Sequence, residues 1–522
     1  MKNTAKNHST THKFKKATAM AAASFMIMSL VLGGCGSATT SQTAAATTQT
    51  AETETQVAEA EAQAASATEA DSEAQETNAT ETNTNEAAAT PTINITETIE
   101  NTADGEHAIT ADGEEASYAN IAVVKTGEAD GDEADFYGEN AAIFATNGAT
   151  LTLSEITVDT DGKHANGVFS YGEGTTVNIS DSVIETSGNC SGGLMTTGGG
   201  TMNATNLTIH TTGNSSAAIR SDRGGGTVNV TGGSYTTDGT GSPVIYSTAD
   251  ITVSDATMES TASQGVVVEG KNSVTLNNVN LTANNTTKNS DKSEWYQAVM
   301  IYQSMSGDAA EGLASFAMNG GTLTNLNGDV FFVNNTSATI DLTGATIVNE
   351  DTEGVFLRAA AAGWGSEGSN GGHVTLTAAQ QEINGDILVD EVSSLNLYLS
   401  KNSLFTGAIN PSGATGEVYV EIEDGSTWTL AGDSYITSLT CSAGSINLNG
   451  YKLYVNGEDY VEGSSSEGEA IVVETSSSSS HGGSGGPGSG GPGGSGSEPP
   501  AKPDGSDSHG PGGDGSEPPA KP

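Results

Sequence analysis

Short apolar triplets recur along the middle of the chain. Ala142-Ile143-Phe144, Gly167-Val168-Phe169, Gly193-Leu194-Met195, Ala218-Ile219-Arg220, Val244-Ile245-Tyr246 and Val266-Val267-Val268 have central residues 25, 26, 25, 26 and 22 positions apart. A Gly-rich turn follows each triplet. A second segment then alternates strictly between apolar and polar, as in Leu151/Leu153, Val177/Ile179, Val228/Val230 and Val274/Leu276. A third short strand comes next, for example Ile156–Val158 and Leu207–Ile209, and further triplets centre on Met300, Phe332, Phe356 and Leu388 in longer repeats. A fixed repeat of about 20 to 50 residues without helical periodicity marks a solenoid. Three short strands per repeat, separated by Gly, Asn and Asp turns, predict an all-β fold. The predicted architecture is a single-stranded, right-handed parallel β-helix with three faces, spanning 93–460 in about twelve coils and roughly 60 Å long. A β-sandwich is the alternative that many short strands leave open.

The flanks break this pattern. Residues 35–92 are Thr, Ala, Glu, Gln and Ser without an aromatic ring, a composition that cannot bury a core and predicts a disordered stalk. Residues 461–522 are rich in Gly, Ser and Pro, and Gly-Ser-Glu-Pro-Pro-Ala-Lys-Pro occurs at 496–503 and again at 515–522, which predicts a flexible tail. The whole chain of 522 residues is only 34% hydrophobic and 5% aromatic, as suits a thin rod between disordered ends.

The N-terminus changes the picture. Lys13, Lys15 and Lys16 precede an apolar stretch from Ala17 to Val31, too short for an ordinary membrane span and right for a signal peptide over 1–34. It ends in Leu32-Gly33-Gly34-Cys35, which resembles the bacterial lipobox. That resemblance implies lipidation of Cys35, export, and a lipid anchor in a bacterial membrane with the protein at the cell surface. Loss of 1–34 removes five lysines and no carboxylate, leaving 12 Lys and Arg against 65 Asp and Glu, a net charge of −53. Such a field repels phosphate backbones and excludes nucleic acid as a partner. Cys190 and Cys441 are about ten coils apart by this register, far beyond disulfide reach, and are expected as free thiols.

In architecture the repeat resembles the pectate-lyase-like β-helix superfamily. Gly425-Ser426-Thr427-Trp428-Thr429-Leu430, Tyr435–Thr440 and Ser445–Leu448 look like the end of a pertactin-like autotransporter passenger. There the resemblance implies late coils that cap the rod and nucleate folding. The repeat is also similar to adhesin-like bacterial surface lipoproteins, which implies a surface role and little chemistry.

Four features are candidates for function. With Ile143, Val168, Leu194, Ile219 and Ile245 pointing inward, alternation aims Phe144, Phe169, Met195, Arg220 and Tyr246 outward in one ladder, with Tyr171 and Asp222 in a neighbouring row. An exposed ladder of rings beside charges suits a sugar polymer. Its bland counterpart is ordinary stacking under a covering loop. Arg220 and Arg223 are two of the chain's three arginines and flank Asp222, with Glu269 and Lys271 two coils on, so that a polyuronate could be read or cleaved there. An internal Arg–Asp pair is the alternative. Asp130, Asp132 and Asp135 crowd around Gly131, a density of oxygens that suits Ca²⁺, the one cofactor the sequence suggests. A solvated acidic turn is the alternative reading of those residues. Trp295 and Trp364 sit in insertions that lengthen later coils, either as binding tips or folded back on the rod. Motifs of hydrolases, metalloproteases and nucleotide-binding enzymes are absent, so no catalytic residue is assigned.

The expected function is that of a monomeric, surface-anchored, adhesin-like lipoprotein. It would bind glycan or extracellular matrix, a polysaccharide or a host surface, through a lateral face of the rod. A lyase or hydrolase acting on uronic-acid polymers and a structural cell-surface spacer are the alternatives.

Overall fold

The structure, a computed structural model, describes residues 92–288, 292–413 and 416–472. The signal segment, Cys35, nearly all of the 35–92 stalk and the repeats of the tail lie outside them. Three long sheets wind together. The first has ten strands, from Glu97–Asn101 to Thr346–Asn349; the second has eleven, from Ile109–Asp112 to Ile387–Val389; the third has thirteen, from Glu115–Ala119 to Ser438–Cys441. Through most of the rod each sheet takes every third strand in chain order, and all pairings within these three sheets are parallel. This is a parallel β-helix. Beyond the first sheet, a four-stranded sheet beginning at Glu382–Asn384 carries the winding on. An antiparallel pair, Leu453–Val455 with Glu458–Asp459, lies at the far end, where an open edge would invite further pairing.

Alternation places one residue set inside. In the third sheet Leu151, Val177, Met202, Val228, Ile251, Val274 and Phe316 stand in register and are buried in one continuous column. Burial of each such side chain stabilises by about 1.5–3 kcal/mol before entropy is counted. The turn from the third sheet to the first passes through single left-handed residues, among them Asp181, Asn206, Asp255 and Asn278. Asn and Asp tolerate that conformation, and here they also bond across coils, Asn206 to Asp181 at 3.0 Å and Asn278 to Asp255 at 2.7 Å. The turn from the first sheet to the second packs without side chains. A Cβ on Gly239 would lie 1.8 Å from the Gly213 carbonyl oxygen. The Ser242 hydroxyl donates to that oxygen at 2.8 Å, as Ser216 does to Gly188 one coil earlier at 3.0 Å.

The second sheet corrects the register of the later triplets. Ile245 pairs with Val266, not Val267, and the inward row continues through Val299, Phe331 and Leu357. Val267, Met300 and Phe332 therefore point outward. A one-residue slip exchanges the two sides of a strand, and three consecutive valines buried on both sides carry no alternation to fix the phase.

The cysteines differ from each other. Cys441 is buried and free, whereas Cys190 is disulfide-bonded. The expectation of two free thiols is corrected for Cys190, because the spacing along the rod excludes only Cys441 as its partner. The chain also stays engaged with the rod past 460. Ser466 bridges Cys441, and Asn396 exchanges bonds of 3.0 and 2.9 Å with the backbone of Ile471.

Candidate functional site: the covered lateral face

The outward ladder of the second sheet has the expected members. Phe144, Phe169, Met195, Arg220 and Tyr246 follow one another in register, and Val267, Met300, Phe332 and Arg358 extend the row. It is not exposed. Phe169, Arg220, Asp222, Tyr246 and Glu269 are at most 2% accessible. The expectation of an open aromatic ladder is corrected, because insertions between coils lie over it. Residues 126–141, carrying the short helix α1 (Asp132–Phe136), cover the N-terminal half. There Ala141, Phe144, Phe169 and Met195 form a small core with the half-buried Tyr171. Tyr137 meets Tyr171 edge to face at 5.7 Å, and Thr197 donates to the Phe136 carbonyl at 2.8 Å. Residues 303–312 and 360–371 cover the C-terminal half, where Tyr246, Val267, Met300, Tyr302, Phe332 and Trp364 pack together.

Both tryptophans belong to this layer. Trp364 is fully buried and lies 5.3 Å from the Tyr302 ring. Trp295 sits between Phe332, 5.4 Å away, and the Arg358 guanidinium, 4.6 Å above its ring. Neither is a protruding tip, because an indole on a large outward apolar row loses water by folding down onto it.

Between the two apolar halves lies a charged seam. Arg220 Nη2 donates to Asp135 at 3.1 Å and to Asp222 at 2.8 Å. Burial opposes the Arg220 charge, but Asp135 and Asp222 hold its proton affinity above the ordinary value. Burial pushes the Asp222 carboxyl well above the usual carboxylate range, against the pull of Arg220. Glu269 accepts from Tyr246 and, at 3.1 Å, from Tyr302, and burial raises its carboxyl too. His164 is driven down to about 4, first by burial and then by Arg220, so it is neutral at pH 7. At the rim Arg223 donates from Nε to Asp308 at 2.6 Å and from Nη1 to Asp132 at 2.9 Å. Its guanidinium also lies 3.6 Å above the Phe136 ring. One arginine thus ties α1 to the 303–312 insertion. Lys271 stays outside the seam, exposed, with its stem against Gly312.

The same pairs take up Asp130, Asp132 and Asp135, the residues of the Ca²⁺ expectation. Asp130 pairs with Lys163, Asp132 with Arg223 and Asp135 with Arg220. The three carboxylates are turned to three different bases and do not converge. Among the described residues no group of three or more His, Cys, Asp or Glu is arranged to hold a metal.

What stays open is a groove between the two C-terminal insertions. Two adjoining clefts of about 270 and 370 Å³ share Gln303, Glu311, Asn335 and Ser369, and the first extends to Ser337 and His373. The Gln303 amide is fixed by donating to the Ser304 and Ala309 carbonyls at 3.3 and 3.2 Å, which leaves its oxygen without a partner. Asn335 donates to the Gln303 carbonyl at 2.9 Å and joins the two walls. The groove residues were not singled out from sequence. Their signal was the lengthened repeat, since Val299 and Phe331 are 32 positions apart and Leu357 and Ile387 are 30, where the coils from Ile143 to Val266 use 21 to 26.

No family model, curated protein or solved structure matches the chain.

Proposed function

We propose that the chain is an adhesin-like surface protein that binds glycan on its lateral face, in the groove between the 303–312 and 360–371 insertions. The observation that carries this reading is a polar cleft, edged by Glu311, Asn335, Ser337, Ser369 and His373, set on a rigid sheet where the rest of the lateral row is sealed. Amides and hydroxyls on a fixed frame suit sugar hydroxyls. Export to the cell surface completes the reading, with the stalk holding the rod away from the envelope. A glycan array and polysaccharide-retention assay on the exported chain tests it. Ser369→Trp, which fills the cleft from an exposed position, should abolish retention with an unchanged β-rich circular dichroism spectrum. Full retention by that variant removes the groove from the reading.

A further inference from the structure

We infer that the groove takes an amine-bearing glycan, a hexosamine polymer with free ammonium groups, in preference to a polyuronate. This deepens the glycan-binding reading and rests on it.

To read a uronate carboxylate, a protein needs a cation left free for it. The arginines of the lateral face are not free. Arg223 is held by Asp132 and Asp308, and Arg358 by Asp329 at 2.6 Å. Arg220 is 1% accessible and spans Asp135 and Asp222. Each is turned to a carboxylate of its own chain, and an incoming uronate would have to displace it. The groove itself adds no cation. Its lining charge is the exposed Glu311. His373 receives a bond partner in Ser394 at 3.0 Å and is held below its ordinary proton affinity by burial, so it enters neutral. Lys271 is the cation beside the wall; its stem lies against Gly312 and it is not among the lining residues.

The remaining polar side chains of the lining are hydroxyls and amides that can accept, beside the apolar Met305, Ala309 and Leu313. The Asn335 amide nitrogen is spent on the Gln303 carbonyl, and Gln303, 7% accessible, has spent its own on the insertion backbone. A carboxylate beside oxygen acceptors suits a ligand rich in donors, and an ammonium group offers three. Charge outside the groove favours the same partner, since the exported chain carries −53 and repels polyanions at long range.

The test compares three probes on the full exported chain: glucosamine oligomers, their N-acetylated counterparts and oligogalacturonate. Two variants accompany them. Glu311→Gln removes the groove charge. Glu185→Gln removes an equal charge from the exposed side of the first sheet and controls for the general field. The inference expects glucosamine oligomers to bind at least about tenfold tighter than the N-acetylated form. That preference should weaken as salt is raised, and it should be lost in Glu311→Gln while Glu185→Gln keeps it. Equal responses of the two variants overturn it in favour of unspecific attraction. Equal or stronger binding of N-acetylated or uronate oligomers overturns the charge assignment and leaves a glycan site standing. Binding of none of the three overturns both.

Discussion

The second and third sheets share the same coils and the same period, yet their outer sides are opposites. On the third, Thr176, Asn178 and Ser180 are followed in register by Thr201, Asn203 and Thr205 and then by Thr227, Asn229 and Thr231. These short side chains face water, and the asparagines bond to one another along the rod at 2.9 and 3.0 Å. On the second, the outward row carries rings, a valine, two methionines and two arginines, and all but Arg358 are buried beneath inserted chain. The lesson is that the ladder supplies the rod and the insertions decide what a side becomes. An outer side left bare is built from small groups that water and neighbouring coils satisfy. An outer side that is roofed needs its own core, and any charge trapped in it must find a partner from a distant part of the chain.

The sharpest way to break this contrast is Arg220→Ala. Removing one member of a buried pair strands Asp135 and Asp222, and should cost about 3–5 kcal/mol in denaturant unfolding. A loss as small as that of a surface residue would mean the seam is not closed. The pH dependence comes next. Asp222 and Glu269 have folded proton affinities above their unfolded ones, so their contribution is complete below about pH 4 and is lost as pH rises through the folded values. His164 runs the other way. Its folded value of about 4 lies below the unfolded 6.5, so its contribution is complete above 6.5 and is lost as pH falls toward 4. Asp222→Asn should flatten the loss with rising pH, and His164→Gln the loss with falling pH; unchanged profiles would refute both assignments. Arg223→Gln should cost only about 1 kcal/mol, because its pairs are partly wet. It should nonetheless speed proteolytic cutting within both 126–141 and 303–312, and cutting in one alone would deny that the arginine joins them. The smallest effect belongs to the bare side, where Asn203→Ala should cost about 0.5–1 kcal/mol.

Much of the rod was legible in the sequence because its cause is local. Ile143, Val168, Leu194, Ile219 and Ile245 repeat at nearly constant spacing, and their neighbours Phe144 to Tyr246 therefore had to form the outward row. The phase was lost at Val266-Val267-Val268, where burial on both sides erases alternation. The seam was half legible. Two arginines around Asp222 marked unusual charge, but the groups that claim them, Asp135 and Asp132 on one side and Asp308 on the other, lie 85 to 91 residues away. Nothing in a repeat count says that an insertion bends back over the face it interrupts. For the same reason the sequence left open whether Trp295 and Trp364 are tips or fold back, and they fold back.

The glycine turns and the arginine seam together set rules for how the gene can change length. The Gly-to-carbonyl contact recurs through the coils from Gly127 to Gly239 and again at Gly328–Gly354 and Gly385–Gly407, so an in-frame duplication of about one repeat at such a coil preserves it and lengthens the rod by ~4.8 Å. A gain of one codon inside a coil would misplace it locally. That freedom stops between Asp132 and Asp308. An extra coil there would carry Arg223 away from one of its two aspartates, so this interval is fixed in copy number while the coils on either side remain open to expansion and loss.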